Sequence, residues 1–115
     1  MKLEFRVRGL APRPDVAEYA ARRVRFALDR FESHLKRITV LVTDVNGPRG
    51  GKDKRCQIVA EFHRGGEATV TETRGTATMA IYFAVVRLRR QIANRLRGMR
   101  EKARTSIRHA SVQPA

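Results

Sequence analysis

Residues 1–42 change hydrophobic period twice, and that succession limits the fold more than any other feature of the chain. Met1, Leu3, Phe5 and Val7 alternate with Lys2, Glu4, Arg6 and Arg8, the period of two that marks a half-buried strand. After a break at residues 9–14, Val16, Ala20, Val24, Ala27, Leu28, Phe31 and Leu35 recur at spacings of three and four. This predicts an amphipathic helix over about residues 14–35, with Pro14 and Asp15 suited to its first turn. Ile38, Val40 and Val42 then return to a period of two, with Leu41 and Val45 making the other face partly apolar. A strand–helix–strand opening implies two parallel strands joined by a right-handed crossover.

The rest of the chain adds an antiparallel half. Residues 46–53 form a turn-rich loop by composition. Cys56, Ile58, Ala60 and Phe62 face one way and Arg55, Gln57, Glu61 and His63 the other, and Gly65-Gly66 marks a hairpin into a threonine-rich strand at 68–73. A final helix over about 77–105 carries the stripe Ile81, Val85, Leu88, Ile92, Leu96 and Met99. The order β-α-β-β-β-α predicts an α+β fold, a four-stranded mixed sheet with two helices packed on one face and the other face open to water. At 115 residues and 42% hydrophobic content the chain has room and apolar material for one domain, expected at 1–107, with a short flexible tail at 108–115.

Charge then narrows the partner. Twenty-five basic residues against 11 acidic ones give a net +14, which calls for a polyanion. Residues 87–104 hold eight basic residues against Glu101 alone, half of that excess on one helix. A helix that needs only to be soluble interleaves its signs, and this one does not. At 100° per residue Arg23, Arg30 and Arg37 fall on one line beside the first helix's apolar stripe, with Asp15, Glu18, Asp29 and Glu32 mostly behind. Arginine's fork suits phosphate. RNA is favoured over DNA, because no helix-turn-helix, zinc-finger or basic-zipper spacing is present. It is favoured over membrane because both helices are needed for the core. With no tryptophan and 6% aromatics, stacking platforms are poorly supplied. Met79, Tyr82, Phe83 and Val86 lie off the last helix's main stripe; of a packed helix start and a contact patch, packing is the expectation.

Enzymatic signatures are not found. His34, His63 and His109 are scattered and no pair has metal-ligand spacing; Cys56 reads as a small core residue. Asp44 and Asp53 read as turn residues, not an acid pair. The glycines at 47, 50 and 51 with Lys52 depart from Walker A, and Gly47-Pro-Arg-Gly50 joins two strands where a KH loop joins two helices. No enzyme, metal or cofactor is expected. No run approaches the roughly 20 apolar residues of a membrane span, and the start MKLEFRVR is no secretory signal. A single cysteine fits a reducing compartment, so the expected location is cytoplasmic.

The opening MKLEFRVRGL, the helix end Arg30-Phe-Glu-Ser-His-Leu35 with the strand 38–42, the loop 46–56 and the run Met79-Ala-Ile81…Arg87-Leu-Arg-Arg-Gln-Ile92 together resemble the bacterial ribosome hibernation-promoting factor and ribosome-associated inhibitor family, in its short form. The resemblance spans nearly the whole chain. It implies a factor that binds small-subunit rRNA near the decoding centre, blocks mRNA and tRNA access, and silences ribosomes in stress or stationary phase. It places the RNA contacts on Arg22, Arg23 and Arg30 of the first helix and Arg87, Arg90, Arg95 and Arg97 of the last, with Arg49, Lys52 and Lys54 from the loop. Where the family has acidic landmarks around the alanine pair, this chain has Thr76, Thr78 and Tyr82; its last residues are SVQPA, so neither the acidic tail of some short inhibitors nor the extra domain of long members is expected.

Two other readings compete. A general double-stranded RNA-binding module shares the order α-β-β-β-α, but places a lysine cluster where residues 76–81 have none. A module docking an acidic protein would show weak salt dependence, unlike phosphate binding.

Overall fold

The computed structural model describes residues 1–11, 13–45 and 53–112, with side chains of the last helix described as far as residue 99. The elements are β1 (Lys2–Arg8), α1 (Pro14–Leu28), β2 (Leu35–Asp44), β3 (Lys54–Phe62), β4 (Glu67–Arg74) and α2 (Ala77–Val112), with a 3-10 segment at Asp29–His34. β1 pairs parallel with β2, and β2, β3 and β4 form an antiparallel meander, in the spatial order β1-β2-β3-β4. This is the α+β arrangement that the two changes of period predict.

The first helix differs from expectation. It closes at Leu28 and continues as a 3-10 turn to His34, and β2 starts at Leu35. A spacing of three, Leu28 to Phe31, suits both kinds of helix, because a 3-10 turn places i and i+3 in line. Both side chains therefore stay buried while the chain tightens toward the sheet. α2 also runs past residue 105, to Val112. At 36 residues it spans about 54 Å, and the molecule measures 70 × 22 × 19 Å.

The core lies between the sheet and the two helices. Val16, Ala20, Val24, Leu28 and Phe31 come from the first helical layer, and Ala80, Ile81, Ala84, Val85, Leu88, Ile92 and Leu96 from α2. The sheet adds Ile38, Val40, Val42, Cys56, Ile58, Ala60, Phe62, Ala68 and Val70. Among the described residues no polar or charged side chain is buried. Met99 is exposed rather than part of the core stripe. Burial pushes the Cys56 thiol up to about 12, so it stays protonated and un-nucleophilic near neutral pH.

Three local devices set the helices in place. Pro14 opens α1, and Arg13 pairs with Asp15 at 2.9 Å, which holds that carboxyl below its usual range. The Thr76 hydroxyl accepts from the Met79 N–H at 3.2 Å, capping α2 where the family resemblance led one to look for an acidic residue. Gly65 and Gly66 take φ of +94° and +86°, a left-handed backbone that other residues rarely adopt, and close the β3–β4 hairpin.

On the open face of the sheet, charges pair with one another. Glu4 sits among Lys2, Arg6 and Arg37, and Arg37 also reaches Glu61 at 3.7 Å. Arg37 is thus not in line with Arg23 and Arg30, as a helix continued to that point would require. It lies on β2, past an irregularity between Leu35 and Arg37, with its charge already met.

Candidate nucleic-acid interface

α1 and α2 each cross back over the sheet from a strand of the same direction, so they run side by side the same way. Between them is a groove of about 510 Å³. Its floor is apolar, from Ala27, Val85 and Ala93; Phe26, Tyr82 and Val86 add to its walls; Arg23, Arg30, Arg89 and Arg90 ring it. Among the described residues none of these four guanidinia has a carboxylate partner, and no acidic residue lines the groove. Four like charges around an apolar floor build a strong positive field, sharpened by the low-dielectric walls.

Aromatic rings hold two of those arginines. The Arg23 guanidinium lies 5.0 Å from the Tyr82 ring centre and 5.7 Å from that of Tyr19, joining the two helices. Arg30 lies 4.7 Å from the Phe31 ring centre. Such contacts restrict a long side chain without neutralising it, leaving its N–H donors for an outside anion.

The residues predicted from the sequence divide into groups. Arg23, Arg30 and Arg90 meet in the groove, and Arg97 prolongs it beside Arg30, His34 and Ala93. Arg22 lies next to it, against Tyr19, Arg23 and Phe26. Arg87 and Arg95 point to the other side of α2. Arg87 donates to the Thr71 carbonyl at 2.9 Å and to the Glu72 carboxylate at 3.0 Å. Arg95 donates to the Glu67 carbonyl at 3.0 Å and the Gly65 carbonyl at 3.4 Å, over the Phe62 ring. Lys54 pairs with Asp44 at 3.6 Å beside the start of α2, away from the groove. Arg49 and Lys52, with the loop reading of 46–52, lie outside the described residues.

Sequence reasoning left Arg89 and Phe26 out of the site. Arg89 stood in the charge run, and its place beside Arg90 at i+3 and i+4 from Val86 was a usable signal. Phe26 is 84% exposed, a large aromatic on the polar side of α1. The expectation that the start of α2 is packed is corrected: Tyr82 and Val86 are each 41% exposed and Met79 is exposed too, while Phe83 is half-buried against Arg74 and Tyr82. The groove sits between two helices that need their other faces for the core, so these side chains have nowhere inside to go. The thin supply of aromatics is concentrated here: both tyrosines, Tyr19 and Tyr82, flank the groove with Phe26.

No protein-family model matches the sequence, and no curated protein matches it. Solved structures do. The N-terminal domain of Protein Y from Thermus thermophilus superposes with a TM-score of 0.65 at 22% identity, over 80% of this chain and 96% of that one. The fold is that of the Protein Y N-terminal domain. A ribosomal subunit interface protein from Coxiella burnetii superposes with a TM-score of 0.70 at 10% identity, over 82% of this chain and 96% of its own. The architecture that the hibernation-factor resemblance implied is therefore the one observed. Among the described residues no cluster of histidine, cysteine or carboxylate groups is placed to hold a metal, and no helix is long and apolar enough to cross a membrane.

Proposed function

We propose that this protein is a ribosome-associated factor that binds small-subunit rRNA near the decoding centre and silences the ribosome by occlusion, without chemistry. The observation that carries the reading is the groove between α1 and α2, where four arginines stand unpaired with any described carboxylate on a fold shared with a ribosomal subunit interface protein. Arg23, Arg30, Arg89, Arg90 and Arg97 are the phosphate contacts, with Arg22 beside them. Arg87 and Arg95 shape the helix that presents them; Arg49, Lys52 and Lys54 are additional contacts from the β2–β3 loop and its end. Occupied rRNA of this kind would block mRNA and tRNA, consistent with a cytoplasmic role in stress or stationary phase.

The test is sedimentation with purified small subunits at low and moderate salt, with excess plain duplex RNA as competitor. Stoichiometric association is expected to survive the competitor. It should weaken with added salt with a log–log slope of roughly 3 to 5 from the five groove arginines alone, and a steeper one as the loop contacts add to them. Loss of the protein to plain duplex would instead assign it to general double-stranded RNA binding, and a flat salt response would assign it to an acidic protein.

A further inference from the structure

We infer that the groove between α1 and α2 takes an unpaired nucleobase, stacked on Phe26 and walled by Tyr82, while the surrounding guanidinia hold the flanking phosphates; this rests on the RNA-binding reading above. The groove joins two chemistries that are seldom needed together. Its interior is apolar and aromatic, and its rim is cationic without a described carboxylate partner. A duplex backbone would satisfy the rim and leave Phe26 facing hydrated phosphates. A purely apolar partner would use the interior and strand four charges. A nucleotide out of the stack supplies a flat apolar base and two phosphates at once, which is how proteins read unpaired RNA.

The positions fit that occupant. Phe26 is 84% exposed and its ring serves no core, so its face is free for stacking. Tyr82 is held edge-on by Phe83, with ring centres 5.4 Å apart and planes at 88°, and by the Arg23 guanidinium on its ring. It is thus a braced wall of the groove, not a dangling side chain. Guanidinium planes such as that of Arg23 also stack on bases, extending the platform toward Tyr19. At about 510 Å³ the space is in the range that takes small-molecule ligands, ample for one nucleotide.

The experiment measures binding to three RNA hairpins: one with a single bulged nucleotide, one fully paired, and one with an abasic bulge. Wild type is expected to prefer the bulged hairpin about tenfold, with the abasic one behaving as paired. Phe26→Ala should weaken binding to the bulged hairpin about tenfold, removing the preference and matching the loss of one stacked base, and leave the paired hairpin within about twofold. Because Phe26 is exposed, the variant should melt with the wild type. Phe26→Trp should keep the preference and report it, since the chain has no other tryptophan and stacking quenches its emission. Equal affinity of wild type for bulged and paired hairpins, with small-subunit association intact, would overturn the base pocket and leave the ribosomal reading standing. Arg23→Glu, Arg30→Glu, Arg90→Glu protein that still binds every RNA and the small subunit would overturn both. Displacement of the bulged hairpin by polyglutamate as readily as by unlabelled hairpin would assign the groove to an acidic protein segment.

Discussion

The two flanks of α2 carry the same residue type and do opposite things with it. Toward β4, Arg87 and Arg95 spend their donors on Glu72 and on the Thr71, Glu67 and Gly65 carbonyls, while Arg74 bridges Glu72 and the Phe83 ring. Toward α1, Arg89 and Arg90 join Arg23 and Arg30 around an apolar floor with no described carboxylate in reach. One flank is closed by internal partners; the other is left for an external one. The lesson is that arginine count sets how much anion a surface attracts, but the acceptors opposite each arginine set where.

That contrast can be broken from either side. The largest effect is expected from reversing Arg23, Arg30 and Arg90 to Glu together: small-subunit association should fall by about a thousandfold or more in sedimentation, as three phosphate contacts become repulsions. The melting temperature should not fall. Next, Glu72→Ala removes a carboxylate, 14% exposed, that holds both Arg74 and Arg87. It should cost about 2 kcal/mol in chemical denaturation, since two guanidinia lose their charge-assisted bonds. It should also raise affinity for RNA a few-fold, because the β4 flank would now resemble the groove.

A smaller step separates single arginines. Arg87→Ala should lower stability by about 1 kcal/mol, discounted because that side chain is half exposed, whereas Arg90→Ala should stay within about 0.5 kcal/mol of wild type. The smallest effect has the opposite sign. Arg90→Glu should raise the melting temperature slightly at low salt by relieving repulsion in the groove, and the gain should vanish near 1 M salt. A stabilised Arg87→Glu, or a destabilised Arg90→Glu, would erase the distinction between the flanks.

The order and pairing of the elements were legible because each strand and helix declares its period in its own residues, from Met1–Val7 to Ile81–Leu96. The split of α1 from its 3-10 end was not, since Leu28 and Phe31 fit either helix. That one ambiguity sent Arg37 to the wrong surface: a line through Arg23 and Arg30 reaches it only if the helix persists. Arg87 and Arg90 could not be told apart in the charge run, because what distinguishes them is β4, at residues 67–72, which tertiary packing brings alongside. Phe26 was hidden differently, and Tyr82, visible off the main stripe of α2, was read as packed. Composition reports how many rings a chain has, not that packing gathers three of them at one groove.

The β4-side arginines have a further consequence. Phe62 N–H donates to Gly66, so alternate residues of β4 bond to β3, while Glu67 and Thr71 turn their carbonyls to the outer side of the last strand. An open strand edge of that kind is a template on which another chain can add itself. Arg87 and Arg95 sit eight residues apart on α2, about 12 Å, and meet carbonyls four residues apart on β4, about 13 Å. Helix and strand rises thus match, and two cations of one helix cover the edge at two points. The same helix that offers charge to a partner on one side denies a foothold on the other, keeping a sheet with an exposed border from growing into its neighbours.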